Sequence, residues 1–530
     1  MHVAVTPLGS TPTSVAAKVI VAGLDDDRPH GLTLAVDGAA RPLDTWQSIG
    51  DDATRIWYAN HRRDDLEPGR SYQIELRIDG EPTVRAEAAT LPQPGRPFGL
   101  IFGSCFDSDQ SRAAVRVAYD ELARRQAERA APTMNLWLGD QVYLDAPWQR
   151  TILPVDPEPT ILAKYARAWD LTPQAAAAEE LRAGDGGEGD DPAAGLAHAM
   201  TQAANWYLPD DHEFWNGYPH PSFLTLPFHT AGHLLVQIMR WFTTGPDRPS
   251  HPHVQGRWGR FAGEAYCAFQ TDLDFNAFGE DVNPPQLQRI DLGPVLIVMA
   301  DTRWHRTIRK SGDRSAFMLD EDLQALTDLL ESEDRLVCLC LARSVAGHLP
   351  DDGPIRDKIV YDPEDYSRQY VPLWQALNDR AADGRPTLVL GGDLHAQAVT
   401  TVLGDRLLEV VSSPLALLVA LDSELAMTLR RAWRWTKTGL RALLDRLRGR
   451  PPVPAAAYPV TAADGSWSRA VGRAVLPERT VISGAASVTF DTTDSARPAV
   501  IVDVVRVDDG RPEVWSRQFR WDDGWVGAAP

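Results

Sequence analysis

Two textures of hydrophobic patterning divide the chain. Up to about residue 90, apolar and polar positions alternate in short segments, "AAKVIVAGL", "LTLAVDG", "RIWYAN", "SYQIELRIDG" and "TVRAEAATL", broken by Gly, Pro or Asp. Period-two runs between turn residues predict short antiparallel strands, hence a small β-sandwich over 1–95. "LPQPGRP" from Leu91 reads as a linker. From Phe98 the runs become dense in Val, Ile and Leu: "FGLIF", "MNLWL", "VLIVMA", "RLVCLCL", "PTLVL" and "RLLEVV". Helical stretches such as "RAAVRVAYDELARRQAERA" separate them, which predicts buried strands alternating with helices, an α/β domain over 96–530. Near the C-terminus, "SVTFDTTD", "AVIVDVVRV" and "EVWSRQFRW" return to antiparallel strand patterning.

Two insertions interrupt the α/β texture. Residues 183–195, in "RAGDGGEGDDPAAG", are acidic and glycine-rich and read as an exposed loop. Residues 423–450 hold a basic amphipathic helix ended by prolines, with eight Lys or Arg against one acid from Arg430 to Arg450. Its Leu and Trp stripe suits packing against the protein, and its charge suits peripheral contact with a membrane surface.

Charge and length narrow the field. A chain of 530 residues exceeds what one core supports, so at least two domains are expected. The balance of 53 basic and 73 acidic side chains gives −20, so no nucleic-acid partner is expected. "MHVAVTPLGSTPTSV" lacks a basic n-region, an apolar core of signal length and twin arginines, and "PLALLVAL" is far short of the roughly 20 residues that span a bilayer. The expectation is a cytoplasmic protein, with nothing to indicate its oligomeric state. Of four cysteines, Cys338 and Cys340 share one face of an apolar strand and read as buried thiols. Cys105 keeps more polar company.

The informative pattern is positional. "FGLIF" is followed by "GSCFD", "MNLWL" by "GDQVYLD", "VLIVMA" by "DTRWH" and "PTLVL" by "GGDLHAQ". Loops at the carboxyl ends of strands in α/β sheets gather on one edge, where ligands bind. Four strands therefore aim Cys105, Asp140, Tyr143, Asp301, Arg303, Asp393 and His395 at one rim. "LPDDHEFWNGYPH", from Leu208, joins them; turn chemistry uses Asp, Asn, Gly and Pro freely but has no need of His and Glu at fixed offsets. Each motif alone fits an ordinary turn; the ordered set does not.

The succession "GSC", "GDQVY", "DDHEFWN", "DTR", "GGDLH" resembles the PhoD-like (alkaline phosphatase D) branch of the calcineurin-like metallophosphoesterases, over roughly residues 1 to 410. The front domain is similar to the one that family carries, and "LEPGRSYQIEL" from Leu66 resembles the turn and tyrosine strand of fibronectin type III domains. The resemblance implies a four-layer α/β/β/α sandwich behind an N-terminal antiparallel β-sandwich. It also implies one metal held by Cys105, Asp140, Tyr143 and His395, with Asp140 shared to a neighbouring site built from Asp211, Asn216 and Asp393. Within that second site, Asp211 and Asn216 are alternatives for the ligand. His212 would be the general acid, Glu213 or Asn216 an orienter, and Arg303 with Asp301 would meet substrate. Three departures stand out: a superfamily His after a central strand is replaced by Arg343 and Ser344 in "LCLARSVAGH", the export signal common in the family is missing, and the likeness fades beyond Ser413.

The ligand types restrict the ions. Phenol and thiol bind as anions only to a strong Lewis acid, so the Cys/Tyr site suits Fe³⁺ well and Zn²⁺ passably, and the all-oxygen site suits Ca²⁺, Mn²⁺ or Mg²⁺. Two adjacent ions lower the pKa of a water and present it for in-line attack on phosphorus. The expected activity is hydrolysis of a small-molecule phosphoric mono- or diester, with the aromatics of "ANWYLPDDHEFWNGYP" walling the pocket. Alternatives are a phospholipase or phosphodiesterase at a membrane surface, using the basic helix, and a non-catalytic binding module on a degenerate scaffold.

Overall fold

The fold comes from a computed structural model. It describes residues 1–24, 28–52, 54–106, 112–144, 157–171, 195–214, 257–271, 286–307, 316–345, 367–393, 397–403, 405–415, 460–461, 467–468, 473–474, 476, 483–491, 494, 498–522 and 524–528. The acidic loop up to residue 194, the basic helix, Asn216 and His395 lie outside them.

Two large sheets carry the α/β region. The first has 11 strands. At its centre Phe98–Gly103, Thr133–Leu138 and Ala204–Leu208 run parallel. Gly484–Asp491, Ala499–Asp508, Arg511–Trp521 and Trp525–Ala528 extend one side as antiparallel strands, so the C-terminal patterning becomes sheet edge. The second sheet has 7 strands, with Val295–Ala300, Leu336–Leu341, Thr387–Gly391 and Leu407–Ser412 parallel.

Strand composition explains the layering. In "LVCLCL" all six residues are buried, because Cys338 and Cys340 point into a core shared with the first sheet while Val337, Leu339 and Leu341 face Asp320–Ser332 and Ser367–Ala382. Cys338 and Cys340 are free thiols with sulfurs 3.9 Å apart. The shared core includes Leu100, Phe102, Leu136 and Leu138 of the first sheet and Ile297, Met299, Leu388 and Leu390 of the second. Helices Arg112–Glu128, Pro157–Ala168 and Arg257–Gln270 cover the opposite face of the first sheet.

The N-terminal strands do not stand apart. His2–Thr11 joins the first sheet beside Ala204–Leu208, in parallel and with a single register pair, Leu8 with Asn205. So short a ladder leaves backbone groups to be satisfied otherwise, and buried Asn205 does it: its amide donates to the carbonyls of Pro7, Met200 and Ala203, each within 2.8 Å. Its oxygen accepts from the Trp137 indole and the Asn135 amide. Ser14–Ala22 and Ile56–Arg63 continue that sheet, and a four-stranded sheet closes over them around Val19, Leu34, Ile74 and Leu76. There the Tyr72 hydroxyl accepts from the backbone N–H of Glu67 at 2.7 Å, fixing the turn before its strand.

Candidate metal centre

Strand ends of both sheets meet at one rim. Cys105 follows Phe98–Gly103, Asp140 follows Thr133–Leu138, and a single 3₁₀ turn, Asp211–Glu213, follows Ala204–Leu208. From the second sheet come Asp301 and Arg303 after Val295–Ala300, Arg343 after Leu336–Leu341 and Asp393 after Thr387–Gly391. The backbone leaves each strand abruptly: Cys105, Asp140 and Asp393 have φ of 61°, 58° and 60°. Such conformations cost about 1–3 kcal/mol each for residues other than glycine and persist where surroundings over-determine them. Close loop packing explains two glycines. A Cβ on Gly139 would lie 2.3 Å from the Asp210 Cβ, and one on Gly392 would lie 2.5 Å from the Ser104 hydroxyl, which accepts from the Asp393 N–H at 2.9 Å.

Potential ligand atoms converge. One group is Cys105, Asp140 and Asp393; a second is Asp140, Asp211 and His212; a third is Asp140, Asp210, Asp211 and Asp393, each with atoms mutually within 4.8 Å. Asp140 is common to all three and fully buried. Its Oδ2 accepts from the Cys105 thiol at 3.3 Å and its Oδ1 from the His212 N–H at 3.0 Å. The His212 ring lies on Tyr143, with centroids 4.0 Å apart and planes tilted by 31°. The Tyr143 hydroxyl hydrogen-bonds with Cys105.

Without a cation, this environment disfavours anions. Burial pushes the Cys105 thiol up, as do the negative charges of Asp140 and Asp393. Burial also raises the Tyr143 phenol, the neighbouring Cys105 adding to it, and raises the Asp140 carboxyl against the opposing pull of His212. Desolvation brings Asp210 to about 6 despite Arg303 and Arg343. A metal ion reverses that logic by deprotonating thiol and carboxyl together.

The Cys105, Asp140 and Asp393 side fits a metal. Two ligands on one tetrahedral ion, at about 2.3 Å for sulfur and about 2.0 Å for oxygen, are themselves about 3.5 Å apart, close to the separation seen between Cys105 and Asp140. The all-oxygen side fits less simply. Arg303 Nε donates to Asp210 Oδ1 at 2.5 Å, and Arg343 Nε lies 3.0 Å from Asp393 Oδ2. Both guanidiniums also approach Asp211 Oδ1, at 3.5 Å each.

The candidates named from sequence therefore take unequal places. Cys105, Asp140, Tyr143, Asp211, His212, Arg303 and Asp393 come together. Asp301 lies behind the rim: its Oδ1 accepts from the N–H groups of Arg303 at 2.7 Å and Trp304 at 3.0 Å, forming the turn that presents Arg303. The aromatics expected to wall the pocket divide. Trp206 and Tyr207 lie on the strand, where Trp206 packs over Gly9 and the Tyr207 hydroxyl meets the Met200 sulfur, while Phe214 contacts Trp304 edge to face.

Three contributors escaped sequence reasoning or were left undecided. Asp210 sits beside Asp211 in "PDDHE", where the family motif points to Asp211 alone. Arg343 stands in the sequence only as a departure from the family pattern, with no local motif to give it a role. Glu213 belongs to none of the three converging groups among the described residues; its carboxylate accepts the N–H groups of Asp140, Gln141 and Asp210 at 2.9, 2.6 and 2.8 Å, binding the two acidic loops together.

No family model and no curated protein matches the chain. Among solved structures, one described as "Structure of PhoD" matches over 99% of this chain and 91% of its own, with a TM-score of 0.56 and 13% identity. The chain has a PhoD-like fold.

Proposed function

We propose that the protein is a metal-dependent hydrolase of phosphoric esters, built as a four-layer α/β/β/α sandwich behind an N-terminal β-sandwich. The observation that carries this reading is the convergence of Cys105, Asp140 and Asp393 on one buried point. Tyr143 and His395 complete the ligand set, and thiolate with phenolate favours Fe³⁺ or Zn²⁺ over Ca²⁺ or Mg²⁺ there. When bound, such a cation supplies Lewis-acid activation of water and offsets phosphoryl charge.

The chain's own residues do the rest. Arg303, held by Asp301 and Asp210, directs a guanidinium toward the rim and orients phosphoryl oxygens. His212, fixed by its ring contact with Tyr143 and its N–H bond to Asp140, is placed to donate a proton to the leaving oxygen. Glu213 holds the Asp140 and Asp210 loops in register, so that acid and ligands keep their spacing.

Release of nitrophenol from p-nitrophenyl phosphate and bis(p-nitrophenyl) phosphate tests the reading, before and after dialysis against chelator. Asp140→Asn is the informative variant, since Asn adopts positive φ readily and leaves the backbone in place. A loss on the order of 10²-fold or more supports the assignment. Full hydrolytic activity in Asp140→Asn, or in chelated protein, contradicts it.

A further inference from the structure

Asp140, Asp210, Asp211 and Asp393 form the largest set of converging acids among the described residues, and they are not treated alike. Arg303 binds Asp210 and approaches Asp211. Arg343 lies 3.0 Å from Asp393, 3.5 Å from Asp211 and 3.7 Å from Asp210. Asp140 is the one of the four that meets neither guanidinium among the described residues; its oxygens take the Cys105 thiol and the His212 N–H. Cation binding is thus left open on the Cys105 and Asp140 side and is already supplied by side chains on the Asp210 and Asp211 side.

A second cation on that side would have to displace Arg343 from Asp211 and sit beside both guanidiniums, a like-charge contact that is costly in a buried site. Ser344 and Val345 make displacement harder: the hydroxyl of Ser344 and the N–H of Val345 both donate to Oε1 of buried Glu409, at 2.9 and 2.8 Å, anchoring the loop that carries Arg343.

We infer that Arg343 stands where a second cation would bind, making this a one-metal centre in which a guanidinium faces the all-oxygen acids. Resting on the phosphoesterase reading, the same group then offers a planar pair of donors to a phosphoryl oxygen.

Elemental analysis of protein loaded with excess metal and desalted is the test, run on wild type, Arg343→Ala and Arg343→Lys, with thermal unfolding as a folding check. The expected result is one ion per chain in wild type and Arg343→Lys and two in Arg343→Ala. Two ions in wild type overturn this inference and leave the hydrolase reading intact. So does a single ion in folded Arg343→Ala. No ion in any of the three overturns both. Should Arg343→Ala fail to fold, the wild-type and Arg343→Lys stoichiometries still decide, since two ions in either contradict the inference.

Discussion

Oε2 of Glu213 accepts hydrogen bonds from the backbone N–H groups of Asp140, at 2.9 Å, and Asp210, at 2.8 Å, so one buried carboxylate joins two loops that follow neighbouring parallel strands. Oε1 accepts from Gln141 at 2.6 Å. Within the 3₁₀ turn, Glu213 reaches back to the residue before it as in a capping box, but its reach extends to a second loop as well.

Glu213→Gln replaces one acceptor oxygen with an NH₂ group that faces backbone donors. A donor opposed to a donor in a buried site costs about 1–3 kcal/mol. The urea midpoint of the variant is expected to fall by a corresponding amount, with metal affinity falling as the Asp140 and Asp210 loops loosen. An unchanged midpoint contradicts the clamp.

His212→Asn separates acid catalysis from structure. Asn retains the backbone N–H that reaches Asp140 but cannot protonate a leaving group. Hydrolysis of alkyl phosphates, whose leaving alkoxides need a proton, is expected to fall about 10² to 10⁴-fold. Nitrophenyl esters, with leaving groups that depart as anions, are expected to lose much less. Equal losses on both substrates would assign His212 a structural role instead.

Away from the site, Glu333 and Arg335 predict a pH dependence of stability. Arg335 donates to both carboxylate oxygens, at 2.8 and 2.7 Å, and this hydrogen bonding holds the Glu333 carboxyl down at about 2, against a usual value near 4.5. Because the folded pKa is depressed, the stabilisation is complete above about pH 4.5 and is lost as pH falls toward 2. The pair is partly exposed, so its worth at neutral pH is about 1 kcal/mol or less. The stability gap between wild type and Glu333→Gln, from urea unfolding, is expected to narrow between about pH 7 and about pH 3. A constant gap contradicts the pairing.

Much of the rim was legible because the chain writes it in a regular form. Each buried strand is a continuous apolar run, and each ends in a residue that tolerates an abrupt backbone change, as at Gly139 and Asp140 or Gly392 and Asp393. Local pattern reaches no further than that. Asp210 and Asp211 cannot be ranked by spacing, since a 3₁₀ turn brings both into the cluster. Arg343 has no role legible from local pattern because its partners, Asp393 and Asp211, are distant in sequence and meet it only after two sheets pack. The junction at Asn205 was hidden for a similar reason. Its partner strand begins at His2, and period-two alternation specifies which face a strand buries but not which strand lies beside it. Asn216 and His395 lie outside the described residues, as does the basic helix.

Anomalous X-ray scattering from crystals of protein expressed in metal-replete medium tests the central claim most directly. A peak is expected within about 2.0–2.5 Å of the Cys105 sulfur and of carboxylate oxygens from Asp140 and Asp393. Crystals with no peak there, and with the Cys105 thiol still donating to Asp140, would contradict it.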